Sequence, residues 1–215
     1  IKMVASAFVE GFYSKPRIDK ELLEKYHEGL ICLSACLAGE VQRYLGRGMY
    51  EEACRSALHY ETIFGKGNFF LELQDHGIPM QKTVNQGLLR MSRELGIDLV
   101  ATNDIHYILA EDAVPHDILL CIQTGKRVTD ENRMRYEGGQ YYCKSEEEMR
   151  ALFPYAQEAI DNTHKIAQRC NVEIEFGVTK LPKYEVPEGY DSWGYLNKLC
   201  LDGMAKRYPK DDGTL

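Results

Sequence analysis

The sequence predicts an α/β fold with a mostly parallel sheet or barrel, and three observations support this. Short β-like runs alternate with longer stretches that have helical periodicity. Three such units follow one another between residues 29 and 107. Gly65, Pro79 and Gly96 stand where helices are expected to end or begin. This alternation is typical of parallel strands joined by helices.

The three units account for the first half of the chain. In order, the sequence predicts strand 29–34, helix 51–64, strand 68–74, helix 79–95 and strand 97–102. The helix that begins at Pro79 has the clearest pattern, because its apolar residues are three to four positions apart. These residues are Met80, Val84, Leu88, Met91 and Leu95.

The pattern becomes less regular after residue 107. The sequence predicts a helix at 112–123, a polar irregular segment at 126–143 with an aromatic strand at Tyr141–Tyr142, and an amphipathic helix ending near Cys170. Glycines and prolines at 177–191 indicate a linker, and a last helix is predicted at 192–208.

Composition limits the function classes. The 215 residues carry a formal net charge of −7, whereas a free-standing domain that binds duplex DNA is expected to be basic. No apolar run approaches the ~20 residues of a membrane helix, and no signal peptide opens the chain. Seven scattered cysteines without a Cys-x-x-Cys motif predict reduced thiols. We therefore expect a cytoplasmic protein without a membrane partner.

Candidate functional residues follow the predicted strands. Parallel strands end at one edge of a sheet, and alternate residues share a face. If the alternation continues past the strands, one edge receives Ser34, Cys36, Glu72, Gln74, His76, Asp104 and His106. Cysteine, histidine and carboxylates are the ligand types of Zn²⁺, Mn²⁺ and Fe²⁺. The sequence thus predicts a metal site there.

Each candidate also has a structural interpretation. Asp104-x-His106 is the sharpest signal, although such tripeptides are often only turns. A lone Cys36 is more often a small buried hydrophobe. Glu72 lies in an apolar strand, where a carboxylate needs a salt bridge or a site. His76, in Asp75-His76-Gly77, is more often a loop histidine.

A basic cluster near the amino end adds a further candidate. Lys15-Pro16-Arg17 can hold a phosphate or form an ordinary surface loop. The remaining histidines lie on helices or connections and are expected in solvent. They are His27, His59, His116 and His164.

Five motifs together resemble one known family. They are residues 10–19 (EGFYSKPRID), 33–41 (LSACLAGEV), 70–79 (FLELQDHGIP), 100–107 (VATNDIHY) and 119–126 (LLCIQTGK). In this order they resemble the polymerase and histidinol phosphatase (PHP) domain of bacterial DNA polymerase III alpha subunits, the replicative C-family polymerases. The resemblance extends to about Tyr208.

The resemblance implies a fold and a ligand set. It implies part of a distorted seven-stranded β/α (TIM-like) barrel at 1–176, followed by a helical linker segment at 177–215 that leads toward the polymerase palm. Cys36, Asp104 and His106 match the family's metal ligands; Lys15, Arg17, Ser34, Glu72 and His76 stay as residues lining the site. The metal would be a divalent transition metal, Zn or Mn, with up to three ions in an intact site.

Two departures from the family pattern shape the functional expectation. The family's first ligands, which include a His-x-His motif, precede the region that this chain matches, so we expect a partial site, and an incomplete barrel or a homo-oligomer. No Asp-x-Asp motif occurs, so the Mg-dependent palm chemistry lies outside this sequence. The chain by itself is expected to be inactive.

Three functional hypotheses follow. In the first, the chain is a fragment of a DNA-directed DNA polymerase whose PHP site has 3′–5′ exonuclease activity, with primer-template DNA, the sliding clamp and a proofreading subunit as partners. In the second, the domain is a non-catalytic scaffold that braces the palm or docks the proofreading subunit. In the third, it is a free-standing phosphoesterase.

Overall fold

The computed structural model describes residues 1–179 and 181–208. The chain divides into two units, Ile1–Asn171 and Val172–Leu215. The predicted segment 177–215 includes Lys180 and residues 209–215, which lie outside the described residues.

The first unit alternates helices and short strands. Its helices are α1 Lys2–Val9, α2 Lys20–Tyr26, α3 Glu40–Gly46, α4 Tyr50–Phe64, α5 Pro79–Leu95, α6 Ala113–Thr124, α7 Glu146–Leu152 and α8 Gln157–Arg169. Its strands are β1 Phe12–Tyr13, β2 Lys15–Pro16, β3 Cys32–Leu33, β4 Phe69–Leu73 and β5 Leu99–Ala101. Short 3₁₀ turns cover Ala110–Asp112 and Glu137–Gly139.

A small parallel sheet organises this unit. Its strand order is β3-β4-β5, with Leu33 opposite Phe70 and Leu73 opposite Ala101. All three carboxyl ends therefore lie at one edge. Strands β1 and β2 form a separate antiparallel hairpin.

The core surrounds β4, whose five residues are all buried. Helices α4 and α5 pack against β4, and α8 packs against β5. The largest fully buried side chains include Phe69, Leu71, Leu88 and Phe153. Burial on both faces explains why β4 is a continuous apolar run, interrupted only by Glu72.

The structure confirms the predicted α/β class with a parallel sheet and corrects the extent of its strands. The helices expected at 51–64, 79–95 and 112–123 are present within a residue or two. The strand expected at 29–34 is only two residues long, Cys32–Leu33. The prediction of a strand at Tyr141–Tyr142 is wrong. Tyr142 forms only a single parallel bridge with Tyr107, so too few backbone groups pair there for a strand.

Several short elements have capping signals in the sequence that periodicity alone does not reveal. Asp19 caps α2 by accepting a hydrogen bond from the backbone N–H of Leu22 at 2.9 Å. Ser145 and Glu148 form a reciprocal capping box at the start of α7. Helices of seven residues are too short to show a reliable apolar repeat, and the caps define their starts instead.

The described part of the second unit, 172–179 and 181–208, contains one helix, α9, Ser192–Arg207. The Asp191 carboxylate accepts a hydrogen bond from the backbone N–H of Gly194 and caps it. The predicted last helix is thus present, one residue shorter than expected. Within 172–179 and 181–191, the structure has neither helix nor strand.

Candidate metal site at the carboxyl ends of the strands

A buried polar network joins the carboxyl ends of β3, β4 and β5. The Glu72 carboxylate is 8% exposed and accepts hydrogen bonds from the backbone N–H of Ala35, the Gln74 amide and the Thr102 hydroxyl. The three donors come one or two residues after β3, β4 and β5, so Glu72 links the carboxyl ends of all three strands by hydrogen bonds. Hydrogen bonds of this kind make a buried carboxylate tolerable.

Ser34 belongs to the same network. Its Oγ accepts hydrogen bonds from the Glu72 backbone N–H at 2.8 Å and from the Gln42 amide at 2.6 Å. The pKa of the nearby Cys32 thiol is raised to about 11. Burial of the thiol is the larger cause, and the negative charge of Glu72 adds to it. Ser34 and Glu72 therefore stabilise the carboxyl edge of the sheet.

Cys36 lies in a tight loop directly after β3. Ala35 takes a left-handed conformation with φ of 67°, and the Cys36 carbonyl accepts a hydrogen bond from the Gly39 N–H at 2.8 Å. The Cys36 side chain is half-buried. Burial raises the pKa of Tyr141, and Asp104 and Cys36 add to this effect. Both predicted ligands thus lie within electrostatic range of one tyrosine.

Asp104 and His106 follow β5 and lie close together. Asp104 Oδ1 is 4.0 Å from His106 Nδ1, and their side chains are 44% and 27% exposed. His106 Nδ1 donates to the backbone carbonyl of Asp104 at 2.6 Å, which leaves Nε2 with a free lone pair in the neutral ring. Histidines that bind metals commonly have this second hydrogen bond.

Three aromatic residues enclose His106. The ring centroid of Tyr136 is 4.2 Å from that of His106, and those of His116 and Tyr141 are each 5.7 Å away. The sequence expectation that His116 is solvated is wrong, because it packs against His106, Tyr107 and Tyr136. These aromatic neighbours come from α6 and the irregular 126–143 segment, where no motif indicated them.

His76 is buried, and both of its ring nitrogens are hydrogen-bonded. The side chain is 3% exposed, and burial lowers the pKa of its imidazole. Nε2 lies 2.9 Å from the Asn103 carbonyl, and Nδ1 lies 2.9 Å from the Gln81 amide. His76 therefore has no ring nitrogen free to bind a metal.

Lys144 is a cation beside this edge of the sheet. Its Nζ donates to the Gln140 carbonyl and lies 3.4 Å from Asn103 Oδ1, over the Tyr142 ring. Partial burial lowers the pKa of its ammonium group. Asn103 links it to the segment after β5 that carries Asp104.

Lys15 and Arg17 belong to the β1–β2 hairpin and the residue after it. Both are exposed, and Arg17 Nε donates to the Tyr13 carbonyl at 3.1 Å. The contacts of Arg17 thus remain within the hairpin region.

The donor types fit a transition metal, but the arrangement is incomplete. Cys36, Asp104 and His106 offer sulfur, oxygen and nitrogen, the ligands of zinc sites. Within 1–179 and 181–208, however, no three His, Cys, Asp or Glu side chains are grouped closely enough to hold an ion. Asp104 and His106 are thus a pair of donors rather than a complete site.

Comparison with known proteins finds one matching domain model and several similar polymerase subunits. Residues 1–76 match the family model of the PHP domain. Three relatives are DNA polymerase III alpha subunits, and each aligns with almost the whole chain. The protein of Borreliella burgdorferi is 45% identical over 97% of this chain, that of Thermus aquaticus 40% over 97%, and that of Saccharopolyspora erythraea 48% over 94%.

The alignments cover only part of those relatives. The chain spans 18% of the Borreliella and Thermus proteins and 17% of the Saccharopolyspora protein. The chain is therefore similar to one segment of a much longer polymerase subunit. Among its described helices, none is long and apolar enough to cross a membrane.

Proposed function

We propose that this chain is the PHP-domain segment of a DNA polymerase III alpha subunit, and that the intact protein binds a divalent metal and removes nucleotides from primer 3′ ends. One observation carries the proposal: Asp104 Oδ1 and His106 Nδ1 lie 4.0 Å apart just after β5. The chain that places them there is similar to these polymerases along nearly its whole length. In the proposed whole protein, a separate palm domain with Mg²⁺ copies DNA.

The proposed fold of the intact domain is a seven-stranded β/α barrel. Three adjacent parallel strands with helices between them fit a part of such a barrel. We assign 1–176 to this domain and 177–215 to a linker and helix that lead toward the palm.

The residues have distinct roles in the proposed site. Asp104, His106 and Cys36 would bind the metal, Zn or Mn, together with ligands from other parts of the intact protein. A metal bound there supplies an activated water and neutralises phosphoryl charge. The hydrogen bond from His106 Nδ1 to the Asp104 carbonyl holds the imidazole so that Nε2 faces away from that carbonyl. Tyr136 and Tyr141 restrict the His106 ring.

The proposed partners follow from the same assignment. They are primer-template DNA, the sliding clamp and a proofreading subunit, all reached through the intact polymerase in the cytoplasm. Lys15 and Arg17 are exposed cations that fit a phosphate.

A non-catalytic scaffold is the second candidate function. The incomplete donor group among the described residues favours it, as does the buried Glu72 network, which stabilises the sheet edge. In this alternative the domain braces the palm or docks the proofreading subunit. A free-standing phosphoesterase fits less well, because the relatives are polymerase subunits.

The test uses the intact protein and compares the wild type with an Asp104→Ala, His106→Ala double variant. We expect bound transition metal in the wild type by mass spectrometry and 3′ degradation of a labelled primer, with both at least about tenfold lower in the variant. Asp98→Ala with His164→Ala is the matched control, since these residues lie elsewhere on the surface.

Polymerisation of the same primer shows that the variants are folded. A wild type without metal that leaves primer ends intact while it polymerises would support the scaffold function instead.

A further inference from the structure

His76 contacts both segments that flank the candidate metal site. It follows β4 by three residues and is 3% exposed. The first segment is the continuation of β5 that carries Asp104 and His106. The second is the 140–143 segment, which runs beside it.

The hydrogen bonds of His76 define its tautomer. Its backbone N–H donates to Gln81 Oε1 at 2.7 Å, so the remaining Gln81 group, the amide nitrogen, is a donor. This nitrogen lies 2.9 Å from His76 Nδ1, which must therefore accept. Nε2 then carries the proton and donates to the Asn103 carbonyl at 2.9 Å. The tautomer is assigned from this network.

The His76 ring also supports the second segment. It stacks on Tyr141 with a centroid distance of 4.0 Å and an angle of 8° between the planes. The Tyr141 carbonyl accepts a hydrogen bond from the His106 backbone N–H at 2.8 Å. His76 thus contacts Tyr141, which is hydrogen-bonded to His106. It also contacts Asn103, which directly precedes Asp104.

The peptide after Asn103 needs such support. Asp104 has φ of 44°, in the left-handed region that residues other than glycine seldom adopt. The Asn103 amide donates to the Gln140 and Tyr142 carbonyls, at 3.0 and 2.7 Å. An unfavourable backbone conformation of this kind persists when contacts from the surrounding structure hold it in place.

We propose that His76 is a positioning residue for the metal site: its hydrogen bond to Asn103 and its stacking on Tyr141 hold Asp104 and His106 in one relative orientation. The expected effect of His76 on metal binding rests on the proposed function, whereas its expected effect on the order of the backbone does not.

Two substitutions separate the contacts of His76. His76→Phe keeps an aromatic ring on Tyr141 and removes both side-chain hydrogen bonds. His76→Gln keeps an amide that can donate to the Asn103 carbonyl. His59→Phe is the matched control, because His59 is partly exposed on α4.

The first measurement is hydrogen exchange by mass spectrometry on the intact protein. We expect at least tenfold faster exchange in peptides covering 104–108 and 140–143 for His76→Phe, a smaller effect for His76→Gln, and no change in peptides from α4 or α8. Unchanged exchange at both segments in His76→Phe overturns the proposal.

The second measurement is a Co²⁺ titration followed by visible absorption. We expect a 10–100-fold weaker Kd for His76→Phe, a range typical when a supporting hydrogen bond is lost, and near wild-type affinity for His76→Gln. Equal affinity for wild type and His76→Phe contradicts the positioning role. A wild type that binds no Co²⁺ contradicts the proposed function, and the exchange result then decides on His76.

Should His76→Phe fail to fold, Gln81→Met serves as the second variant. It is similar in length and removes the partner that determines the tautomer. The same two measurements apply, with the same expected direction.

Discussion

Two residues leave the β conformation at the carboxyl edge of the sheet, and both precede or carry a predicted ligand. Ala35 has φ of 67° and Asp104 has φ of 44°. Each conformation turns the chain immediately after a strand, so the alternation of side chains does not continue past it. The positions of the candidate ligands are consequently determined by the loops and not by strand periodicity.

The loop after β3 allows a residue-scale prediction. A Cβ on Gly39 would lie 2.2 Å from the Ser34 carbonyl oxygen and 3.1 Å from that of Cys36. The backbone must shift to admit it, and we expect Gly39→Ala to lower the free energy of unfolding by about 1–3 kcal/mol. Urea unfolding followed by circular dichroism measures this.

Ala35→Gly is the matched control in the same loop. Glycine adopts a positive φ without steric cost, although it raises the entropy of the unfolded chain. We expect the free energy of unfolding to stay equal or to rise by up to about 1 kcal/mol. A larger loss for Ala35→Gly than for Gly39→Ala would contradict the steric argument.

At the scale of elements, α3 and α5 approach each other through Gly87. A Cβ at Gly87 would lie 2.9 Å from Leu45 Cδ2. Because alanine favours a helix over glycine by up to about 1 kcal/mol, the contact with Leu45 opposes the gain in helix propensity. The small residue therefore sets the distance between the helices.

A double-mutant cycle tests this contact. We expect Leu45→Ala to cost about 2–3 kcal/mol of unfolding free energy. In the Leu45→Ala background, Gly87→Ala should be more favourable than in the wild type by about 1 kcal/mol. Additive effects in thermal or urea unfolding would show that the two side chains do not compete for space.

Glu40 joins helices α2, α3 and α4 and predicts a pH dependence. Its carboxylate accepts hydrogen bonds from Lys20 at 2.8 Å, Ser56 at 2.8 Å and Tyr60 at 3.2 Å. Burial disfavours the charged carboxylate, but these partners outweigh it and lower its pKa. Because the folded pKa is below the unfolded one, the stabilisation is complete above about pH 4.3 and is lost as pH falls through the folded pKa.

The measurement compares wild type with Glu40→Gln across pH. Because Glu40 is about one third exposed, solvent screening limits the expected difference at pH 7 to roughly 1 kcal/mol. The difference should shrink as pH falls below about 4.3. Glu28→Gln, an exposed change nearby, serves as control. A difference that is constant from pH 7 to pH 3 would contradict the role of the charged carboxylate.

At the scale of the whole molecule, the two units differ in how much they bury. The first contains the core around β4. In the second, among the side chains described between residues 172 and 208, which exclude those of Lys180 and Ala205, none is buried, and Trp193 is 70% exposed. Few buried apolar contacts imply low local stability.

Limited proteolysis tests this difference in the 215-residue chain. We expect proteinase K to cut first within 171–191, where the described residues have no helix or strand. The product should contain 1–170 intact, as identified by mass spectrometry. First cuts within β4 or α5 would contradict the assignment of the stable core.

The sequence alone determined the α/β class, the principal helices and the edge of the sheet at which the candidate ligands lie. Period, helix caps and glycines are local signals, so they remain readable without the fold, as in α5 from Pro79 to Gly96. The motifs also indicated the family that the comparisons identify, since Asn103–Tyr107 and Leu33–Val41 are distinctive in themselves.

The surroundings of Glu72, His76 and His116 depend on tertiary contacts that the sequence does not reveal. The sequence left Glu72 between an ion pair and a site residue, and it left His76 as an ordinary loop histidine. Hydrogen bonds from Ala35 and Thr102 to Glu72, and from His76 to Asn103, join residues about 30 positions apart. Partners so distant in sequence leave no local periodic signal, because the packing of three strands and their loops brings them together.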